Sequence, residues 1–468
     1  MLFTSTLAIG ASLLSLSEAI ALHKRTDGPA RTVQLDTHRK RTTFSAPVRD
    51  RLRKRSKTLN VQLLNEQTLY FANVSIGTPA QSLHLDIDTG SSDLWANSAD
   101  SNLCQSNGNY CAASGTYNAN DSSTYTYVNS DFLIKYADGS YASGDYAKDT
   151  VTLGGTALTN VQFGIGYDST SPQGILGVGY MTNEASIATT GKTYTNVPAQ
   201  MVADGVIAAN AYSLWLNDLD ANTGSILFGG VDTDKYHGDL STVPVIKENG
   251  VYQEFVIALT GLTAGGQEVS NTPIAVLLDS GSSLTYLPDS TAQSLYTIFS
   301  ATYDSQAGAA TVDCSLANNA ATVDFSFSGI NISVPMNELV IVDAVERGRE
   351  ICILGITSAG SSTSVLGDTF LRSAYVVYDL DNNEISLAQT NFNATSSNVQ
   401  EIAAGSSGVP NATPVASPVT NLAVGTGGAR NGGNPSVTAV GAAAKATAPP
   451  AVMGGVVAAA AAGIAMAL

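Results

Sequence analysis

The sequence predicts an all-β protein of two related lobes enclosing one cleft, and three observations lead there. Short runs of β-branched and aromatic residues, broken by Gly, Asn, Asp and Ser, fill residues 64–389, as in TLYFANVSIG, SLHLDIDTG, DFLIKYADGSYASGDY and SAYVVYDLDNNEISLA. Segments of this kind read as strands and hairpins. The stretch Asp88-Thr89-Gly90-Ser91-Ser92-Asp93-Leu94 recurs as Asp279-Ser280-Gly281-Ser282-Ser283-Leu284, each copy after a strand-like lead-in. An apolar-apolar-Gly step, Ile175-Leu176-Gly177, recurs as Val365-Leu366-Gly367; its Gly lies 89 residues beyond Asp88 in the first copy and 88 beyond Asp279 in the second. Two unrelated motifs at nearly one spacing imply duplication of a single unit, with each lobe bringing one Asp-bearing loop to the cleft. Helical periodicity is scarce, and residues 197–209 and 290–302 are the stretches that read as short helices.

The ends differ from this body in composition. Residues 1–21 carry an apolar core from Leu7 to Leu16 and end in Ala19-Ile20-Ala21, the pattern of a secretory signal peptide. Residues 22–55 are basic, with pairs at Lys24-Arg25, Lys40-Arg41 and Lys54-Arg55. Such pairs look like processing points for a kexin-type protease, so this stretch reads as the propeptide of a zymogen. Residues 56–235 and 236–396 then form the two lobes. Residues 397–450 are rich in Ala, Gly, Ser, Thr, Pro and Val, a composition that orders poorly and reads as a stalk. The apolar run 451–468 follows a polar spacer and small residues, the arrangement of a GPI-attachment signal. The expected location is the cell surface, by a GPI lipid anchor to the plasma membrane or in the cell wall.

Charge and cysteine usage agree with export. Residues 1–60 hold 12 of the 22 Lys and Arg, which leaves the rest with 10 basic against 35 acidic side chains, a net charge of −25. So acidic a body repels phosphates and excludes nucleic acid as a partner, while protonation at low pH relieves its self-repulsion. The four cysteines contain no CxxC and no Cys/His cluster at zinc spacing, so no metal and no cofactor is expected. They read as two disulfides, Cys104–Cys111 and Cys314–Cys352, because each then closes a loop within one half of the chain. Sequons at Asn73, Asn120, Asn331, Asn393 and Asn411 fit a secreted glycoprotein.

The chemistry rests on Asp88 and Asp279. Two carboxyls a few ångströms apart cannot both ionise, so they share a proton and provide general base and general acid in one site. Gly90 and Gly281 permit tight loops, Thr89 and Ser280 can bond across to the opposite loop, and Ser91 and Ser282 can each donate to their own Asp. Other hydrolytic chemistries lack parts: only His84 and His237 lie outside the leader, and neither GxSxG nor HExxH occurs.

Over residues 69–389 the chain resembles the pepsin-like aspartic proteases, within them the fungal yapsin and candidapepsin type. ANVSIGTPAQSLHLDIDTGSSDLW is similar to the first active-site block, AVLLDSGSSLTYLP to the second, and SVLGDTFLRSAYVVYDLDNNEISLA to the closing segment. The resemblance implies an aspartic endopeptidase, monomeric, cutting protein and peptide substrates at acid pH. It further implies a flap in IKYADGSYASG, with Tyr136 covering bound peptide, Asp138, Gly139 and Ser140 at its tip, and the Trp95 indole bonded to the flap tyrosine. Yapsin-like cleavage beside basic residues needs acidic subsites, for which Asp138, Asp168 and Glu184 are candidates; a hydrophobic preference is the other reading. The short loop between Cys104 and Cys111 departs from yapsins. A catalytically inactive cell-wall glycoprotein that binds peptides in the same cleft is the alternative from another class.

Overall fold

The duplication is written into the strand pairing. The computed structural model describes residues 30–39, 69–106, 110–137, 139–221, 223–305, 308–406 and 408–424. In the first lobe, strand Gln81–Asp88 pairs parallel with Ile175–Gly177, which pairs antiparallel with Leu94–Asn97, itself parallel to Thr156–Ser169. In the second, Ile274–Leu278 pairs parallel with Ser364–Leu366, which pairs antiparallel with Thr285–Leu287, itself parallel to Ile356–Ser358. Asp88 thus ends, and Asp279 directly follows, a strand whose parallel neighbour is the apolar-apolar-Gly segment.

Both glycines of those steps are required by close packing. A Cβ on Gly177 would lie 2.6 Å from the amide nitrogen of Asp93, and one on Gly367 2.3 Å from the carbonyl oxygen of Ser282. No side chain fits at either place.

The lobes meet through a shared sheet. Strand Ala211–Trp215 of the first lobe pairs antiparallel with Ala374–Asp379 of the second, and each continues into its own hairpin, with Thr223–Phe228 and Glu384–Thr390. The main hydrophobic cluster draws on both lobes, including Leu85, Ile87, Leu214 and Phe228 from one and Phe255, Leu278, Phe325 and Val376 from the other. Short helices sit outside the sheets. Val197–Ala203 is capped by Asn196, whose side chain accepts from the Ala199 amide, and Asp289–Ile298 runs as far as Phe299. Both are shorter than expected because left-handed residues follow, Gly205 and Ser300.

Described order extends beyond residues 56–396 at both ends. Residues 33–39, within the stretch read as a propeptide, form strand Val33–Arg39, which lies between Thr223–Phe228 and Tyr70–Ile76 in the large sheet. Val33, Leu35, Thr37 and Arg39 point inward in strict alternation, the period-two pattern of a strand buried on one face. At the other end, order continues past 396. Val399–Glu401 pairs with Gly230–Asp232, and Ala412–Pro414 pairs parallel with Tyr236–Pro244. Val419, Leu422 and Val424 pack on an apolar face formed by Ile246, Val256, Ala258, Ala275 and Leu277. A low-complexity segment orders here because a sheet edge and an exposed apolar face are available to it. The expected signal peptide and apolar tail lie outside the described residues. No helix among the described residues is long and apolar enough to cross a membrane. Both disulfides pair as expected, Cys104–Cys111 and Cys314–Cys352.

Candidate active site

Each Asp-bearing loop folds around its own carboxyl group. The Gly90 amide donates to Asp88 Oδ1 at 2.8 Å and the Ser91 hydroxyl to Oδ2 at 2.5 Å. In the second loop the Gly281 amide donates to Asp279 Oδ1 at 2.9 Å and the Ser282 hydroxyl to Oδ2 at 2.6 Å. These short-range bonds follow from the Asp-x-Gly-Ser order itself, since the turn brings the next two donors back to the carboxyl.

What holds the loops together is a reciprocal crossing. The Thr89 hydroxyl donates to the Leu278 carbonyl and accepts from the Ser280 amide, while the Ser280 hydroxyl donates to the Ile87 carbonyl and accepts from the Thr89 amide. All four distances fall between 2.7 and 3.2 Å. Each hydroxyl donates once and accepts once across the seam, so the two loops are locked in one relative position.

The lock brings the carboxyls into contact. A Cβ on Gly281 would lie 2.6 Å from Asp88 Oδ1 and 3.1 Å from Asp279 Oδ1, so only glycine leaves room for both. Asp88 and Asp279 are each 3% exposed. Burial, and then the neighbouring Asp88 charge, push the Asp279 carboxyl up to about 7, against the opposing donation from Ser282 and Gly281. A proton therefore stays on this pair well above the ordinary carboxylate range. A protonated carboxyl beside an ionised one can donate to a carbonyl while its neighbour takes a proton from water.

The segment read as the flap folds as a hairpin. Strands Thr126–Lys135 and Tyr141–Leu153 make a hairpin whose turn is closed by bonds from the Tyr136 amide to the Ser140 carbonyl and from the Gly139 amide to the Tyr136 carbonyl. Gly139 sits at φ +83°, in the left-handed region the turn needs. The Trp95 indole donates to the Tyr136 hydroxyl at 2.8 Å. Asp138 lies outside the described residues.

The two other candidate subsite acids sit in different surroundings. Glu184 is buried and accepts from the Tyr194 amide, so it braces a loop. Asp168 is exposed on strand Thr156–Ser169 and accepts from the Tyr141 hydroxyl beside the flap.

Sequence reasoning also passed over residues that anchor the site. Asp93, fully buried, accepts from the Tyr146 and Tyr194 hydroxyls and from the Ala185 amide, tying the first loop to the flap strand and to helix Ala185–Thr190. Arg372 and Glu338 form a wholly buried ion pair, and Glu338 also accepts from the Leu219 amide across the lobes. A buried acid within the repeated motif, at Asp93, was the one available signal; the partners of Arg372 are set by tertiary contact alone.

With this geometry in hand, the comparisons agree. Residues 69–390 match the family described as eukaryotic aspartyl protease. A protein of Aspergillus oryzae named "Probable aspartic-type endopeptidase opsB" is 52% identical over 89% of this chain and 87% of its own length. Its namesake in Aspergillus fumigatus is 51% identical over 92% and 90%. Secreted aspartic protease 3 of Candida albicans is 39% identical over 78% of this chain and 90% of its own. The chain belongs to the pepsin-like aspartyl proteases and is an aspartic-type endopeptidase.

Proposed function

We propose that Asp88 and Asp279 are the catalytic pair of a secreted, cell-surface endopeptidase working at acid pH. The observation that carries this is the reciprocal Thr89–Ser280 lock, which presses two buried carboxyls together while the Asp279 group holds a proton up to about 7. With peptide in the cleft, Asp88 removes a proton from a water as its oxygen attacks the scissile carbonyl carbon. Asp279 gives its proton to the carbonyl oxygen, leaving a neutral tetrahedral diol. Collapse breaks the C–N bond as Asp88 passes its proton to the leaving amine nitrogen and Asp279 takes one from a diol hydroxyl, so the pair holds one proton for the next cycle. Tyr136, steadied by Trp95, closes over the bound chain.

Export is supported by the leader, by the two disulfides and by the exposure of all five sequon asparagines, Asn73, Asn120, Asn331, Asn393 and Asn411. A GPI anchor carried by the tail would hold the enzyme on the cell, and release by phosphatidylinositol-specific phospholipase C tests it. Kexin-type cleavage at Lys54-Arg55 would sever strand Val33–Arg39 from the body while its sheet bonds persist. A preference for basic residues would draw on Asp168 at the flap's side.

The test is cleavage of a peptide library from pH 3 to 7 by the secreted protein, with Asp88→Asn as control. Acid-dependent cleavage lost in the variant is the expected result. A wild-type protein that binds peptides without cutting them would favour the inactive binding glycoprotein.

A further inference from the structure

Beneath the Thr89–Ser280 lock lies a pair of tyrosines that the mechanism above does not use. Tyr212 and Tyr378 are directly opposed on strands Ala211–Trp215 and Ala374–Asp379, one from each half of the chain. Their rings stack with centroids 4.9 Å apart and planes at 23°, and Phe255 packs edge-on against both. Both are wholly buried, and neither hydroxyl makes a formed hydrogen bond. Phenylalanine would fill the same space without stranding a polar group, so stability alone argues against a hydroxyl here, and two are present.

Their surroundings say what the hydroxyls can do. Phe255, packed on both rings, accepts at its carbonyl from the amide of Leu278, the residue before Asp279; the groups around the Tyr378 hydroxyl are the Thr89 hydroxyl and the titratable Asp279, Asp368 and Tyr212. Those around Tyr212 are Tyr378, Tyr180 and Asp88. Burial holds both phenols neutral far above any working pH, so they remain O–H dipoles throughout. Thr89 already donates once and accepts once within the lock, which leaves its oxygen one lone pair. Tyr378 is placed to fill it on a small shift.

We infer that Tyr212 and Tyr378 are positioning residues for the carboxyl pair, their buried hydroxyls bracing the lock from below and favouring the singly ionised state of Asp88 and Asp279. This rests on the reading of those two as the catalytic pair. A donor dipole near a carboxylate stabilises its charge, so deleting it makes ionisation harder.

The experiment compares full-length wild-type protein with Tyr378→Phe, Tyr212→Phe, the double variant and Tyr70→Phe. Tyr70 also buries an unbonded hydroxyl, but beside Arg372 and Asp368 and not beside the pair. The double variant should melt no lower than wild type, keep its KM and lose about 10-fold in kcat. Both limbs of its pH–rate profile should move to higher pH by about half a unit. Tyr70→Phe should leave kcat and profile in place. A folded double variant with wild-type kcat and an unmoved profile overturns the inference, as does an equal shift in Tyr70→Phe. Loss of cleavage in wild type itself would instead defeat the catalytic reading.

Discussion

The two Asp-bearing loops are alike at the carboxyls and unlike one step beyond. Around Asp88 and Asp279 every bond has its counterpart: a glycine amide to Oδ1, a serine hydroxyl to Oδ2, and a hydroxyl crossing to the other loop. Five residues on, the first loop buries the charge of Asp93 under three donors, whereas the second buries Leu284 among Ala309, Ile341 and Ile353. At the matching place after the apolar-apolar-Gly step, Thr182 bonds the Tyr252 carbonyl in one lobe and Arg372 pairs with buried Glu338 in the other. Geometry shared across the cleft is expected to be symmetric, because the proposed mechanism sets one substrate and one proton between the halves. The anchoring behind each loop is free to differ, and the first lobe alone carries the flap.

Breaking the symmetric part should cost most. Asp88→Asn and Asp279→Asn should each lower kcat by about 10²–10⁴-fold or more. Single-turnover cleavage measures it, and one variant keeping near-normal turnover would show that the carboxyls are not equivalent partners. Next comes the second lobe's private anchor: Arg372→Ala strands the Glu338 charge and should destabilise by about 3–5 kcal/mol in denaturant unfolding. Asp93→Leu, which copies the second loop into the first, should cost about 1–3 kcal/mol for each stranded donor. Its melting temperature falls and peptide turnover with it, because the flap strand loses its tie through Tyr146.

Acidity separates the loops more gently. The folded Asp279 carboxyl is raised from 3.8 to about 7, so its contribution to stability is full below about pH 4 and is lost as pH rises toward 7. Burial raises Glu248 in the same direction, beside Glu254 in the hairpin that touches the first lobe. Melting temperature should therefore drop from pH 4 to 7, and Asp279→Asn should flatten part of that slope. The smallest effect tests the lock itself: Thr89→Ser makes the crossing fully symmetric at the loss of one buried methyl, about 1 kcal/mol, with activity retained.

Local order was readable and long-range partners were not. The period-two runs located the strands, the doubled Asp-[Thr/Ser]-Gly-Ser stretch located both loops, and local closure paired the cysteines. The surroundings of Glu184 were not readable, because a lone acid in a loop looks the same whether it faces solvent or a buried amide. Residues 33–39 and 399–424 show the same limit: composition describes what a segment can bury by itself, not which sheet edge or apolar face it meets.

The sequence by itself determined that this chain is a doubled β unit with an aspartyl loop in each half, since spacing and residue type are properties of the chain. Only the tertiary structure decided that Asp88 and Asp279 lie buried together, that Asp93 and Arg372 hold the halves differently, and that Tyr212 stacks on Tyr378. Those outcomes depend on desolvation and on groups 34 to 191 residues apart arriving at one place, and neither is a local property of sequence.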